Sequence, residues 1–281
     1  LFQQILSVSG REGTVGKFTT AIFAGLALKS GEPVIHVLRT QGQLGLVESG
    51  RGRVLLPATA KYFHIPVVAI DPTGQFLYLS AEGASRLLGY RINNGQFTAP
   101  LGNLNTPEGT TGALLSFSRH ADTLYAVLDG SGLVLTCTID ATLGQLSPVG
   151  QPASTGGPSL AFVCHPSKDL AYAPLVDLTS NGEVGHYGLD PFSGRPSHQG
   201  SSSIGLEPVD LGFDPLGNFL YLADRDGGQI TVLRVGPGGQ LTETSYSPAG
   251  SNSRSTETTK SKRRRQCYFF VTIPDRNTIY R

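Results

Sequence analysis

A chain of 281 residues with 39% hydrophobic residues is long enough to bury a continuous core, and no segment approaches the run of about 20 apolar residues that would span a bilayer. The formal net charge of +1 supplies no general field for a nucleic acid or a membrane surface. Glycine at 36 and proline at 18 suit a chain dense in tight turns, and no stretch carries the long 3.6-residue stripe of a helical domain, so one all-β domain over residues 1–281 is expected.

In chain order, Ile5 to Phe18 reads as strand, loop and strand, with Gly10-Arg11-Glu12-Gly13 as a hinge between strands. The sequence holds no methionine, so Leu1 is expected to be a processed, trimmed or incomplete start. His36-Val37-Leu38-Arg39 matches Leu88-Gly89-Tyr90-Arg91 and places an equivalent of Tyr78 near Leu26. Val67 to Ile70 is an apolar run closed by Asp71-Pro72-Thr73-Gly74, where proline presets φ and glycine supplies the freedom of a tight turn. Gln75 to Ser80 is aromatic and β-prone, a loop covers residues 81–85, and Arg86 to Ile92 is a third strand. Asn93-Asn94-Gly95 then signals a hairpin into a fourth strand from Gln96.

This unit recurs. Tyr78, Tyr125, Tyr172 and Tyr221 share one register at spacings of 47, 47 and 49 residues, and Asp210 to Val235 is a second clear copy of Val67 to Ile92. Phe270 continues the register, with Pro274 to Ile279 mirroring Asp224 to Thr231, and registers at Leu26 and Leu6 bring the number to seven. Four short strands per repeat of this length predict a β-propeller, because a blade buries its faces only against neighbouring blades. Seven blades are expected with one abbreviated, since the first two registers are only about 20 residues apart; six is the alternative. Ser251 to Arg265 is polar where the register calls for an apolar strand, and is expected to be a mobile insertion.

Cys137 and Cys164 lie in apolar strands and Cys267 beside Tyr268-Phe269-Phe270, and three cysteines without CxxC spacing argue against a zinc site or a disulfide framework. No GxxxxGK[ST], GxSxG or HExxH pattern is present, so no cofactor and no metal are expected. Lys262-Arg263-Arg264-Arg265 has no interleaved aromatics and reads as a solvated loop, not a nucleic-acid site.

The Asp-Pro-x-Gly turn, the aromatic Leu-Tyr strand after it, and the opening ILSVSGREGTVGKF together resemble the seven-bladed lactonase family typified by bacterial 6-phosphogluconolactonase, with surface propellers of the YVTN type sharing the turn. The resemblance implies a site of histidine, arginine and carboxylate side chains from successive blades at one end of the channel. Carried over residue by residue, it keeps an arginine at Arg225 within Asp224-Arg225, a carboxylate at Asp177 within Val176-Asp177-Leu178, and Asp129 within Asp129-Gly130. His64 precedes the third-blade strand where such propellers often carry a histidine, although a strand-edge histidine is the plainer reading. The paired histidines of the fourth blade fall near Thr111 and Ala113, and the Gly-Pro-Arg-His stretch of the fifth reads Gly157-Pro158-Ser159-Leu160.

Of the remaining histidines, His165 takes the place of the turn aspartate, His120 lies in a turn, and His36 and His186 fall inside strands. Three functions follow: a lactone hydrolase in which Arg225 and His64 bind substrate and Asp177 or Asp129 activates water; a binding propeller for a protein or glycan partner; or a surface-associated repeat protein. A monomer is expected in each case, cytoplasmic for a metabolic lactonase, with secretion or a periplasmic location as alternatives.

Overall fold

The computed structural model describes residues 5–13, 17–29, 32–40, 46–53, 67–80, 86–93, 96–107, 113–128, 131–175, 182–204, 208–224 and 229–248. All regular structure among them is β, and no helix there is long and apolar enough to cross a membrane. The strands form five antiparallel sheets, each built from consecutive strands in chain order.

The chain divides into two compact units, the first comprising Leu1–Ser154 with Pro191–Arg195. Its first sheet contains β1 (Ile5–Gly13), β2 (Lys17–Lys29), β3 (Glu32–Thr40) and β4 (Leu46–Arg53). Its second contains β5 (Val67–Ile70), β6 (Phe76–Ser80), β7 (Arg86–Asn93) and β8 (Gln96–Asn105). Its third contains β9 (Ala113–Phe117), β10 (Thr123–Leu128), β11 (Leu133–Ile139) and β12 (Leu146–Pro148), and β13 (Ala153–Ser154) resumes pairing with β11. The second unit, Thr155–Asp190 with Pro196–Arg281, holds two sheets. One contains β14 (Val163–Cys164), β15 (Leu170–Leu175), β16 (Glu183–Leu189) and β17 (Pro196–Ser203), the other β18 (Pro208–Phe213), β19 (Phe219–Asp224), β20 (Gln229–Val235) and β21 (Leu241–Pro248).

Two expectations near the N-terminus need correction. The registers at Leu6 and Leu26 lie on β1 and β2, adjacent strands of one sheet, and so count as one blade. Gly10-Arg11-Glu12-Gly13 is not a hinge between strands but the end of β1, where Glu12 opposes Phe18 and Gly13 opposes Lys17; a register shift between Gly10 and Glu12 absorbs the irregularity the glycines allow. The Phe270 register and the Ser251–Arg265 insertion lie outside the described residues.

The turn from first to second strand is built the same way in four sheets. Asp71, Ser118, His165 and Asp214 each donate their backbone N–H to the carbonyl five residues on, at 2.9, 2.9, 2.8 and 3.0 Å. Asp71 also accepts the N–H groups of Phe76 (2.6 Å) and Thr73 (3.0 Å), and Asp214 those of Phe219 (2.7 Å) and Leu216 (3.3 Å). These short side chains take the amides a turn would otherwise leave without partners, which is why the position resists apolar residues.

The tyrosine register explains the other turn. Tyr78, Tyr125 and Tyr172, each at most 1% exposed, sit mid-strand on β6, β10 and β15. Their hydroxyls donate to the carbonyls of Gly144 (3.0 Å), Gly194 (2.7 Å) and Gly239 (2.7 Å). Each glycine lies about two-thirds of a hundred residues downstream in a Gly-Gln or Gly-Arg pair, between the third and fourth strands of a later sheet, and has φ between +70° and +88°. At Gly144 a Cβ would stand 2.3 Å from the Phe76 ring, and at Gly239 2.8 Å from Leu170. Both conformation and space therefore demand glycine. Arg91 reinforces the Gly144 turn by donating to the Thr142 carbonyl while its guanidinium lies 5.0 Å from the Phe76 ring centroid.

Apolar packing completes each unit. In the first, Phe76, Tyr78 and Leu87 meet Leu124, Ala126, Leu128, Leu135 and Cys137 across the second and third sheets. In the second, Tyr172 and Val184 meet Leu211, Leu220, Leu222 and Leu233. Cys137 is a fully buried small hydrophobe whose thiol burial pushes up to about 12, and Cys164 is half-buried on β14.

Candidate functional site

The residues carried over for chemistry follow the second strands of three sheets. β10 ends at Leu128 and Asp129 comes next; β15 ends at Leu175 with Asp177 two residues on; β19 ends at Asp224 and Arg225 comes next. His64 stands three residues before β5. Asp129, Asp177, Arg225 and His64 themselves lie outside the described residues.

The first strands beside those ends are described. Ala113 opposes Leu128, Ser159 bridges Leu175, and Pro208 opposes Asp224. Ala113, where a histidine would fall, is 3% exposed and gives its N–H to Ser80 Oγ at 2.8 Å. In the stretch Gly157 to Leu160, Thr155 donates its hydroxyl to the Gly157 carbonyl (2.6 Å) and Ser159, 1% exposed, donates to the Ala161 carbonyl (2.8 Å). Small hydroxyls closing local turns stand here in place of titratable groups. Among the described residues no group of three His, Cys, Asp or Glu is arranged to hold a metal ion.

One titratable group on these first strands escaped the sequence reading. Asp210 on β18 opposes Ala223, two residues before Arg225 in the chain. Burial raises its carboxyl to about 6, and the Leu211 N–H, 2.9 Å from Oδ1, pulls the other way. The signal was in the repeat: counted back four residues from Asp71, Ser118, His165 and Asp214, the positions hold Val67, Leu114, Ala161 and Asp210. Three apolar residues and one acid at a single register mark the acid as the exception.

The histidines divide by role. His165, 1% exposed, is the expected turn residue, and its Nδ1 accepts the N–H groups of Ser167 and Lys168, both at 3.1 Å. A nitrogen accepting two N–H groups carries no proton, so the proton is on Nε2, which donates to the Gly217 carbonyl at 3.0 Å. His186 on β16 shares a hydrogen bond between Nε2 and Ser202 Oγ at 3.0 Å and lies edge-on to Tyr172. Its pKa is held below the usual imidazole value by burial first and by the neighbouring His198 second. His120 is exposed in its turn, and His36 pairs on β3 with Gly25 and Arg51.

The profile of the family described as lactonase, 7-bladed beta-propeller matches residues 57–255. The 6-phosphogluconolactonase of Cronobacter sakazakii is 25% identical over 179 residues, which cover 62% of this chain and 54% of that protein, so the chain spans about half the length of this curated relative. The periplasmic gluconolactonase of Pseudomonas aeruginosa has a similar structure, with a TM-score of 0.68 and 21% identity over 89% of this chain and 72% of that one. A Lactobacillus plantarum protein superposes with a TM-score of 0.62 and 17% identity over 87% and 71%. At such identities the structural likeness speaks for the fold alone, while the profile, matching well over half the residues with the blade turns and tyrosines inside it, speaks for descent: this chain belongs to the seven-bladed β-propeller lactonase family.

Proposed function

We propose that this chain hydrolyses a sugar lactone without a phosphate group. The observation that carries the reading is the register of Asp129, Asp177 and Arg225, each within two residues of the end of a second strand in a chain of the lactonase family. Opening a lactone needs a cation or donor to hold the carboxyl end of the sugar and a base to take a proton from water. Arg225 is the cation, with His64 as a further donor, and Asp177 or Asp129 is the base. The preference for an unphosphorylated substrate follows from what stands at Ala113 and at Gly157 to Leu160, where neither a cation nor a histidine is available for a phosphate.

The same losses favour a second reading, a propeller that has kept the fold and binds a protein or glycan partner. Hydrolysis of 6-phosphogluconolactone and a panel of unphosphorylated sugar lactones, corrected for spontaneous opening, separates the two. Turnover of the unphosphorylated lactones, falling roughly 100-fold or more in Arg225→Ala with the thermal unfolding curve unchanged, is expected. No turnover by the folded protein selects the binding propeller, and undiminished turnover in Arg225→Ala removes that arginine from the site.

A further inference from the structure

His165 combines two tasks in its turn. Like the carboxylates of Asp71 and Asp214, it accepts the amide two residues on: Nδ1 takes the N–H groups of Ser167 and Lys168, both at 3.1 Å. Unlike a carboxylate it also carries a donor, and Nε2 gives its proton to the Gly217 carbonyl at 3.0 Å, in the equivalent turn of the other sheet of the second unit. The two turns meet closely there. Gly217 has a φ of +73°, and a Cβ on it would stand 2.6 Å from His165 Nε2. The imidazole is 1% exposed and lies edge-on to Phe213 on β18. This arrangement exists only for the neutral ring. An imidazolium is a donor at both nitrogens, so a proton on Nδ1 would point at two amide N–H groups and leave both without an acceptor. A carboxylate in such a turn keeps its acceptors down to about pH 4 in the ordinary case.

We propose that His165 is an acid-sensitive latch between the two sheets of the second unit: the neutral ring closes its own turn and holds it to the Gly217 turn, and proton uptake opens the turn and so releases the ring from Gly217. The titratable and charged side chains described on the elements around the ring are Lys168 and Asp169 on its own turn, Cys164 on β14, Tyr172 on β15, Asp210 on β18, Asp214 in the turn after β18, and Tyr221 on β19. Lys168 Nζ donates to the Gly236 and Pro237 carbonyls at 3.2 and 3.3 Å, and the Asp214 carboxylate accepts the Leu216 and Phe219 amides. An unfolded histidine takes up its proton at about pH 6.5, and the closed turn offers none a place on Nδ1. Below that pH the open form binds more protons than the closed form. The latch therefore contributes stability above about pH 6.5 and loses it as pH falls.

The test is denaturant unfolding of the full chain and of His165→Asn between about pH 7.5 and about pH 5.5, with amide hydrogen exchange of the parent over the same range. Asparagine can accept turn amides and does not titrate, so the ratio of the two unfolding constants cancels the other histidines. Uptake of one proton raises the unfolding constant of the parent about tenfold relative to His165→Asn across that range. The opening constants of the Ser167 and Lys168 amides, corrected for the intrinsic pH dependence of exchange, should rise with it, while those of Thr73, Phe76 and Phe219, held on Asp71 and Asp214, stay constant. If His165→Asn fails to fold, the exchange of the parent decides alone. A ratio constant within about twofold overturns the latch. A rising ratio with Ser167 and Lys168 equally protected throughout overturns it too, because the proton then acts elsewhere.

Discussion

Where the first strand of a sheet turns into the second, and the third into the fourth, the repeats reuse the same parts: Asp71, Ser118, His165 and Asp214 in one turn, and a glycine receiving a tyrosine hydroxyl in the other. Beyond the other end of the second strand the residues vary from repeat to repeat. Asp129, Val176-Asp177 and Arg225 follow three equivalent strands in the chain, and at the register held by Val67, Leu114 and Ala161 in three sheets β18 carries Asp210. The contrast separates residues that make a blade from residues that make this chain different from a generic blade. A turn amide or a buried carbonyl has the same need in every sheet, whereas a loop beyond a strand has no such common constraint.

The contrast can be broken at the repeated end first. Gly144→Val combines a left-handed φ with a Cβ in the Phe76 ring, and should cost about 3 kcal/mol or more in thermal or denaturant unfolding. A loss below about 1 kcal/mol would mean that the turn is not the clamp described here. At the unrepeated end, Asp210→Val should stabilise the protein near neutral pH by something on the order of 2 kcal/mol, because it removes a carboxyl that folding desolvates.

The pH dependence carries the sign of that difference. The folded carboxyl of Asp210 titrates at about 6 against an ordinary 3.8, so its folded state binds the proton more tightly. Its contribution is favourable at low pH and is lost as pH rises through 3.8 to 6, and the parent minus Asp210→Asn stability should fall across that window. His186 works in the opposite direction: its folded pKa lies below 6.5, so its contribution is present above 6.5 and is lost as pH falls. Subtracting Asp210→Asn isolates the first effect, and a difference that stays flat between pH 4 and 7 would remove the desolvated carboxyl.

Smaller effects sharpen the picture. Tyr172→Phe leaves the Gly239 carbonyl without its buried donor and should cost about 1 to 2 kcal/mol, with little effect on any turnover. The smallest change concerns Ala121, which holds φ at 62° where Gly74 and Gly217 occupy the corresponding turn positions. Ala121→Gly relieves that strain but loosens the unfolded chain, so a gain of no more than about 0.5 kcal/mol in unfolding free energy is expected.

The turns and strands were legible because their causes are local. Asp71-Pro72-Thr73-Gly74 announces its own geometry, and the alternation and aromatic content of Gln75 to Ser80 needs no distant partner to be read as β. His165 was readable as a turn residue from its register, but the tautomer that lets it replace an aspartate depends on Gly217, 52 residues away. The candidate site was less legible. Arg225, Asp177 and Asp129 came from a resemblance, and Asp210 belongs to no motif; its register with Val67, Leu114 and Ala161 marks it as an exception, and its desolvation is visible only in the folded chain.

By itself, then, the sequence determined the repeat, the four-strand unit and the family, since a spacing of 47 to 49 residues with a shared turn and tyrosine is written into the order of residues. The tertiary structure decided the rest: that Leu6 and Leu26 share one sheet, that Tyr78 needs Gly144 and Tyr172 needs Gly239, and that the half-buried Asp210 carboxyl is partly desolvated. Each of these is a relation between residues far apart in the chain, and hydrogen-bond satisfaction and desolvation exist only once the sheets have packed.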